Sequence, residues 1–152
     1  MKIHRVLVTT DFSSLADQAI APASELVLGA TGGCLILAHV IGGQRLAKPD
    51  PDAPHFQAAS NLYEVDLEQE RDALLKIEER LKAYEGLTWR AVVGRGEPIE
   101  SIIDIAAREK ADLIVISSQG RTGLSRLILG SVAEELARVS PLPVLIWKQP
   151  QD

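Results

Sequence analysis

The sequence predicts an α/β fold: an open five-stranded parallel sheet with helices on both faces, three layers deep. Two observations predict it. Four short runs of Val, Ile and Leu are near-continuous rather than alternating, as strands buried on both faces of a parallel sheet must be. Between the runs, apolar residues recur at helical spacing, so strand and helix patterns alternate along the chain.

The first strand is expected at "RVLVTT" (Arg5–Thr10). A helix over Ser14–Leu28 follows, with Ser14 and Asp17 spaced as a capping pair and Leu15, Ala19, Ala23, Leu26 and Val27 facing inward. Pro22 falls inside that helix and predicts a kink, and Gly29 closes it. The second strand is "CLILAHV" (Cys34–Val40). After it, "IGGQRLAKPDPDAPHFQAAS" (Ile41–Ser60) holds three prolines and no period. It is expected as an irregular excursion above the carboxyl ends of the strands, serving as a lid, a partner surface or a tolerated insertion.

A long helix from about Leu62 to Tyr84 carries Leu67, Leu74, Ile77, Leu81 and Tyr84 as one stripe, while Glu64, Glu68, Glu78 and Glu79 read as a solvated face. "TWRAVVG" (Thr88–Gly94) is a weaker, more mixed strand and is placed near an edge. Ile99–Arg108 is a helix with Pro98 in its first turn and Ile99, Ile102, Ile103 and Ala106 facing in. "DLIVISS" (Asp112–Ser118) is the fourth strand, Ser131–Val139 the fourth helix, and "PVLIW" (Pro143–Trp147) a last strand at the other edge. Strands alternating with helices through right-handed crossovers make a Rossmann-like or flavodoxin-like three-layer α/β/α architecture. The expected organisation is one domain over 1–148, with the excursion at 41–60 and a tail at 149–152.

Composition narrows the function classes. The chain has 152 residues, 46% hydrophobic and 24% charged, which suits one ordinary globular domain and argues against disorder. Lys and Arg number 16 against 21 Asp and Glu, a net charge of −5 with no long basic cluster to offset it. Non-specific attraction to nucleic acid or to an anionic membrane is therefore not expected. With 4% aromatics there is little material for stacking single-stranded bases. Cys34 is the single cysteine, so intramolecular disulfides and multi-cysteine metal sites are excluded, and its apolar run predicts a buried, inert thiol. "MKIHRVLVTTDFS" turns polar too soon for a signal peptide, and no apolar stretch approaches the ~20 residues of a membrane span. A cytoplasmic protein is expected.

Ligands of open parallel sheets bind beyond the carboxyl ends of the strands, where strand order reverses. The residues at those ends are Thr9, Thr10 and Asp11; Val40 to Gly43; Gly94 and Gly96; and Ser117 to Gly130. The start of the last helix offers unpaired N–H groups and a positive dipole end. That makes Gly130, Ser131 and Val132 a candidate phosphate site, with Arg121 and Arg126 placed for outer phosphates. A structural reading competes, because Ser131 and Glu134 in "SVAE" have capping-box spacing. Asp11 likewise stands where a cap or turn residue precedes a helix. "GRGEP" (Gly94–Pro98) lacks the lysine and spacing of a P-loop and is explained by a tight strand-to-helix turn. His4, His39 and His55 are scattered, and His39 reads as a satisfied histidine rather than a metal ligand. No serine–histidine–carboxylate order or paired-carboxylate motif is recognisable.

The stretch "SSQGRTGLSRLILGSVAE" resembles the universal stress protein superfamily, of the single-domain, UspA-like type. Nucleotide-binding members of that family carry Gly, two residues, Gly, nine residues, then Gly followed by Ser or Thr. Gly120, the nine residues Arg121 to Leu129, and Gly130-Ser131 match the second half of this pattern. Ser117 stands at the first glycine's position and departs from it. Asp11 in "TTDFS" matches the family's early aspartate, which contacts the adenosine end, and Val40 matches the residue whose backbone meets adenine. The likeness covers almost the whole chain.

The resemblance implies ATP binding, with Mg²⁺ as its companion and no metal-ligating side chain assigned. Adenine would lie over Asp11 and Val40, the ribose near Ser117 and Gly120, and the phosphates at Gly130–Val132. Glycine at 117 would permit a positive φ, whereas serine brings a hydroxyl for the ribose, so weakened rather than abolished binding is expected. The implied role is a stress-response regulator with at most slow ATP hydrolysis, since no residue presents itself as a general base. A homodimer through Pro143–Trp147 and a regulatory protein partner are implied as well. The alternatives are a non-nucleotide dimeric interaction module of the same fold, or a sensor of another small nucleotide in the same cleft.

Overall fold

Val6, Leu7 and Val8 have no exposed surface, the mark of a strand covered on both faces. They belong to β1 (Arg5–Thr9), the middle strand of the sheet in a computed structural model that describes residues 1–44, 46–120 and 128–150. The other strands are β2 (Cys34–Ile41), β3 (Trp89–Arg95), β4 (Leu113–Ser117) and β5 (Val144–Trp147). The helices are α1 (Ser14–Asp17), α2 (Ile20–Leu28), α3 (Phe56–Leu81), α4 (Pro98–Arg108) and α5 (Ser131–Val139). All strand pairs are parallel, in the order β3-β2-β1-β4-β5. The expected five-stranded α/β sheet is therefore present, with β3 and β5 at its edges.

Alternation along each strand sorts the core into two layers. Val6, Val8, Leu35, Leu37 and Val115 face Ile20, Ala23 and Val27 of α2 and Ile77 and Leu81 of α3. Leu7, Ile36, Ile114 and Ile116 face Ile99, Ile102 and Ile105 of α4 and Leu136 of α5. Each fully buried Leu or Ile contributes roughly 1.5–3 kcal/mol by leaving water. Cys34 is buried, and desolvation pushes its thiol pKa up, which leaves it inert. Among the described residues no helix is long and apolar enough to cross a membrane.

The structure corrects several expected elements. The helix expected over Ser14–Leu28 is two helices, interrupted at Gln18–Ala19 rather than kinked at Pro22. Proline has no N–H to give the carbonyl one turn earlier and its ring crowds that carbonyl. The chain therefore breaks ahead of Pro22 and restarts with the proline in the first turn of α2. The cap is Ser13, whose hydroxyl accepts the Ala16 N–H at 3.1 Å, and not Ser14. The restart shifts the phase, so Ala16 and Ile20 are buried while Leu26 is exposed. In α4, Ile105 is fully buried and Ile103 only partly.

Helix α3 begins at Phe56, inside the segment expected to be irregular, and ends before Tyr84. Among its first ten residues none is fully buried; Phe56, Ser60 and Tyr63 are half-buried at helical spacing, and full burial begins at Asp66. That aspartate forms a buried ion pair with Arg95 at 2.7 Å, and Arg95 also lies 3.5 Å from Glu70. Asp66 accepts the Leu46 N–H at 3.4 Å as well, tying the segment after β2 to both α3 and β3.

Candidate functional site

Strand order reverses between β1 and β4, whose connections run to opposite sides of the sheet. A cavity of about 270 Å³ opens there, at the carboxyl ends of the strands. The end of β1 supplies Thr9, Thr10 and Asp11, and β2 supplies Ala38, His39 and Val40. Ser117 comes from the end of β4, Gly120 from the loop after it, and Gly130, Ser131 and Val132 from the start of α5. Every expected site residue in the described part of the chain thus lines one cavity. Arg121 and Arg126 lie outside the described residues.

Asp11 is held by its own turn. Its Oδ1 accepts the Ser13 N–H at 2.9 Å, which is the turn role its position suggested. The other oxygen faces Gly120, where an added Cβ would stand 2.6 Å from Asp11 Oδ2. A side chain at 120 would thus press on the Asp11 carboxylate and displace it. At Gly130 a Cβ would meet the Ser118 carbonyl at 3.2 Å, and the Gly130 N–H donates to that carbonyl at 2.7 Å. The loop after β4 therefore closes back onto its own beginning.

The start of α5 settles the competing capping-box reading against Ser131. Gly130 is the N-cap and makes no side-chain cap; its carbonyl accepts the Glu134 N–H at 2.9 Å. Ser131 is one position too late to cap, and its side chain is exposed at the cavity. The N–H groups of Ser131, Val132 and Ala133 have no acceptor within the helix, by the geometry of any helix start. They are grouped at the cavity with the positive end of the helix dipole.

Ser117 lies in β4, in register with Trp147, and its hydroxyl accepts the Gln119 N–H at 3.4 Å. Its backbone is extended: the described non-glycine residues with positive φ are Phe12, His55 and Lys110. The special backbone that glycine would permit is not used at 117, so serine fits without strain.

His39 is satisfied, as expected, through Nδ1–H donating to the Thr10 carbonyl at 2.8 Å. It nevertheless lines the cavity, with Phe12 packed on it at a ring distance of 4.2 Å. Phe12 adopts φ 66°, a left-handed conformation that costs a bulky residue of order 1–3 kcal/mol. Sequence reasoning also missed Pro98 and Ile102 of α4, which form an apolar wall of the cavity. Their only advance signal was the pair Gly94 and Gly96 ahead of that helix. Among the described residues no group of three or more His, Cys, Asp or Glu is placed to hold a metal ion.

Comparisons with known proteins agree with this architecture. Residues 2–148 match the family model described as the Universal stress protein family. Universal stress protein MJ0577 of Methanocaldococcus jannaschii is 31% identical over 155 residues, covering 95% of this chain and 94% of that protein. Universal stress protein MJ0531 of the same organism is 37% identical over 90 residues, which are 59% of this chain and 52% of that protein. The solved structure of hypothetical protein MJ0577 has a TM-score of 0.79 at 27% identity and covers 100% of both chains. A universal stress protein solved in complex with cAMP shares the fold, with a TM-score of 0.62 at 24% identity and coverage of 97% and 98%.

Proposed function

The chain belongs to the universal stress protein family, and we propose that it binds an adenine nucleotide, ATP foremost, in the cleft between β1 and β4. In this reading it is a cytoplasmic, nucleotide-responsive regulator in the stress response, built as one domain over residues 1–148. The observation that carries the proposal is the uncapped start of α5: a glycine N-cap whose following N–H groups face a cavity shared with Asp11 and Gly120.

The phosphates sit at Gly130, Ser131 and Val132, where unpaired amides and the helix dipole favour an anion. The ribose lies near Ser117 and Gly120, and adenine lies over Asp11 and Val40 with Thr9 and Thr10 beneath. Mg²⁺ would accompany the phosphates, held by their oxygens and water, with no side-chain ligand assigned. Asp11 is the one carboxylate among the described lining residues and belongs to the adenosine end, so the role assigned is binding rather than turnover.

The fold shared with a relative solved with cAMP makes other adenine nucleotides the natural competitors. Displacement of a fluorescent ATP analogue by ATP, ADP, AMP, cAMP and GTP tests the assignment. ATP is expected to compete best, and GTP weakly. Equal displacement by every nucleotide would contradict an adenine site. The open edge of β5 is proposed to pair with a second copy, giving a homodimer that engages a regulatory protein. Sedimentation at micromolar concentration is expected to show twice 16.5 kDa, and a monomer alone would refute it.

A further inference from the structure

The loop that carries Asp11 is held by a side chain from α3, Arg80. Phe12, the next residue, has φ 66°, which a bulky residue keeps only when its surroundings impose it. Its N–H donates to Thr10 Oγ1 at 2.9 Å, and the Thr10 hydroxyl donates to Asp17 Oδ1 at 2.7 Å. Arg80 Nε donates to the other oxygen of Asp17 at 2.7 Å, and Arg80 Nη2 donates to the Phe12 carbonyl at 3.2 Å. The bonds close a circuit that leaves Phe12 by its amide nitrogen and returns to its carbonyl. The ring is fixed too, packed on His39 and lying 4.9 Å from the Arg80 guanidinium and 5.3 Å from Lys76 Nζ.

Asp11 stands between two members of this circuit, Thr10 and Phe12. With both neighbours fixed, its Cα–Cβ direction is fixed, and its carboxylate is aimed between the Ser13 N–H and Gly120. We infer that Arg80 and Asp17 are positioning residues that aim the Asp11 carboxylate into the cleft. Nucleotide affinity then depends on an α3 side chain that is not among the described residues lining the cavity. Arginine is required because its planar fork donates to Asp17 and to the Phe12 carbonyl together, whereas lysine keeps the charge and loses the fork. The consequence for affinity rests on the nucleotide reading; the aiming of Asp11 does not.

The test therefore has two arms, both using Arg80→Lys and Arg80→Gln. In the free protein, amide exchange at Ser13, whose N–H is held by Asp11, is expected to quicken about tenfold while α4 and α5 keep their protection. Unchanged exchange at Ser13 in both variants overturns the inference, whatever the cleft binds. In the binding arm, Arg80→Lys is expected to weaken ATP about tenfold in the wild-type background and less than about twofold in an Asp11→Ala background, the non-additivity of coupled residues. Equal losses in the two backgrounds overturn it. Wild-type protein that binds no nucleotide defeats the nucleotide reading alone, and the exchange arm still decides the positioning. Should Arg80→Gln fail to fold, the lysine variant carries both arms.

Discussion

At the amino end of β1, Asp112 accepts the N–H groups of His4 and Arg5 at 2.9 and 2.8 Å, and Glu109 pairs with Arg5 and Arg90. At the carboxyl end of the same strand, Phe12 is strained, Gly120 lies close against the Asp11 carboxylate, and a helix start has no side-chain cap. One end has its polar groups satisfied by the protein itself. The other holds strain and helix-start N–H groups that the helix leaves unbonded. The difference teaches where stability and binding are separately invested: left-handed backbone occurs at both ends, at Lys110 as at Phe12, but the carboxyl end leaves helix-start N–H groups at a cavity.

The sharpest way to break this division is Arg95, which sits at the carboxyl end of β3 yet is buried in an ion pair. Arg95→Ala leaves Asp66 buried and unpaired and is expected to cost about 3–5 kcal/mol in denaturant unfolding. The folded fraction should keep its nucleotide affinity; a lost affinity would mean that the segment after β2 shapes the cleft. Next comes Gly130→Val, which crowds the Ser118 carbonyl and is expected to weaken ATP at least about thirtyfold, roughly 2 kcal/mol, with a smaller change in Tm.

At the amino end the expected effect falls on stability alone. The two N–H groups hold the Asp112 carboxyl pKa below its usual value. A depressed folded pKa means that the stabilisation is present above the unfolded value of about 3.9 and is lost as pH falls through the folded pKa. Asp112→Asn is expected to cost about 1 kcal/mol at neutral pH and to flatten the acid limb of the stability curve, with ATP affinity unchanged. An unaltered acid limb would show the capping aspartate to be idle. The smallest effect is expected for Ser117→Gly, under about threefold in ATP affinity, because the backbone at 117 is already extended. A tenfold gain would instead mark the serine side chain as an obstruction.

The sheet was legible because its strands are continuous Val, Ile and Leu, a pattern that burial on both faces alone explains. The start of α3 was not: the helix was expected from about Leu62, and over residues 56–61 only Phe56 and Ser60 are half-buried, too few to show a period just after three prolines. The break before α2 was misplaced because a proline acts on the carbonyl one turn earlier, not at itself. In the cleft, glycine spacing and strand ends pointed to the lining residues. The capping-box spacing of Ser131 and Glu134 misled because glycine also suits an N-cap, and Gly130 takes that position one residue earlier. The Arg80–Asp17 link was invisible for a different reason: its partners are 63 residues apart and meet only through the packing of α3.

The central claim is that the carboxyl-end cleft binds an adenine nucleotide at the start of α5. Calorimetric titration of nucleotide-stripped protein with ATP and Mg²⁺, beside Gly130→Val, tests it most directly. Saturable binding that the variant loses is the predicted result. No heat up to millimolar ATP, or equal binding by the variant, would contradict it.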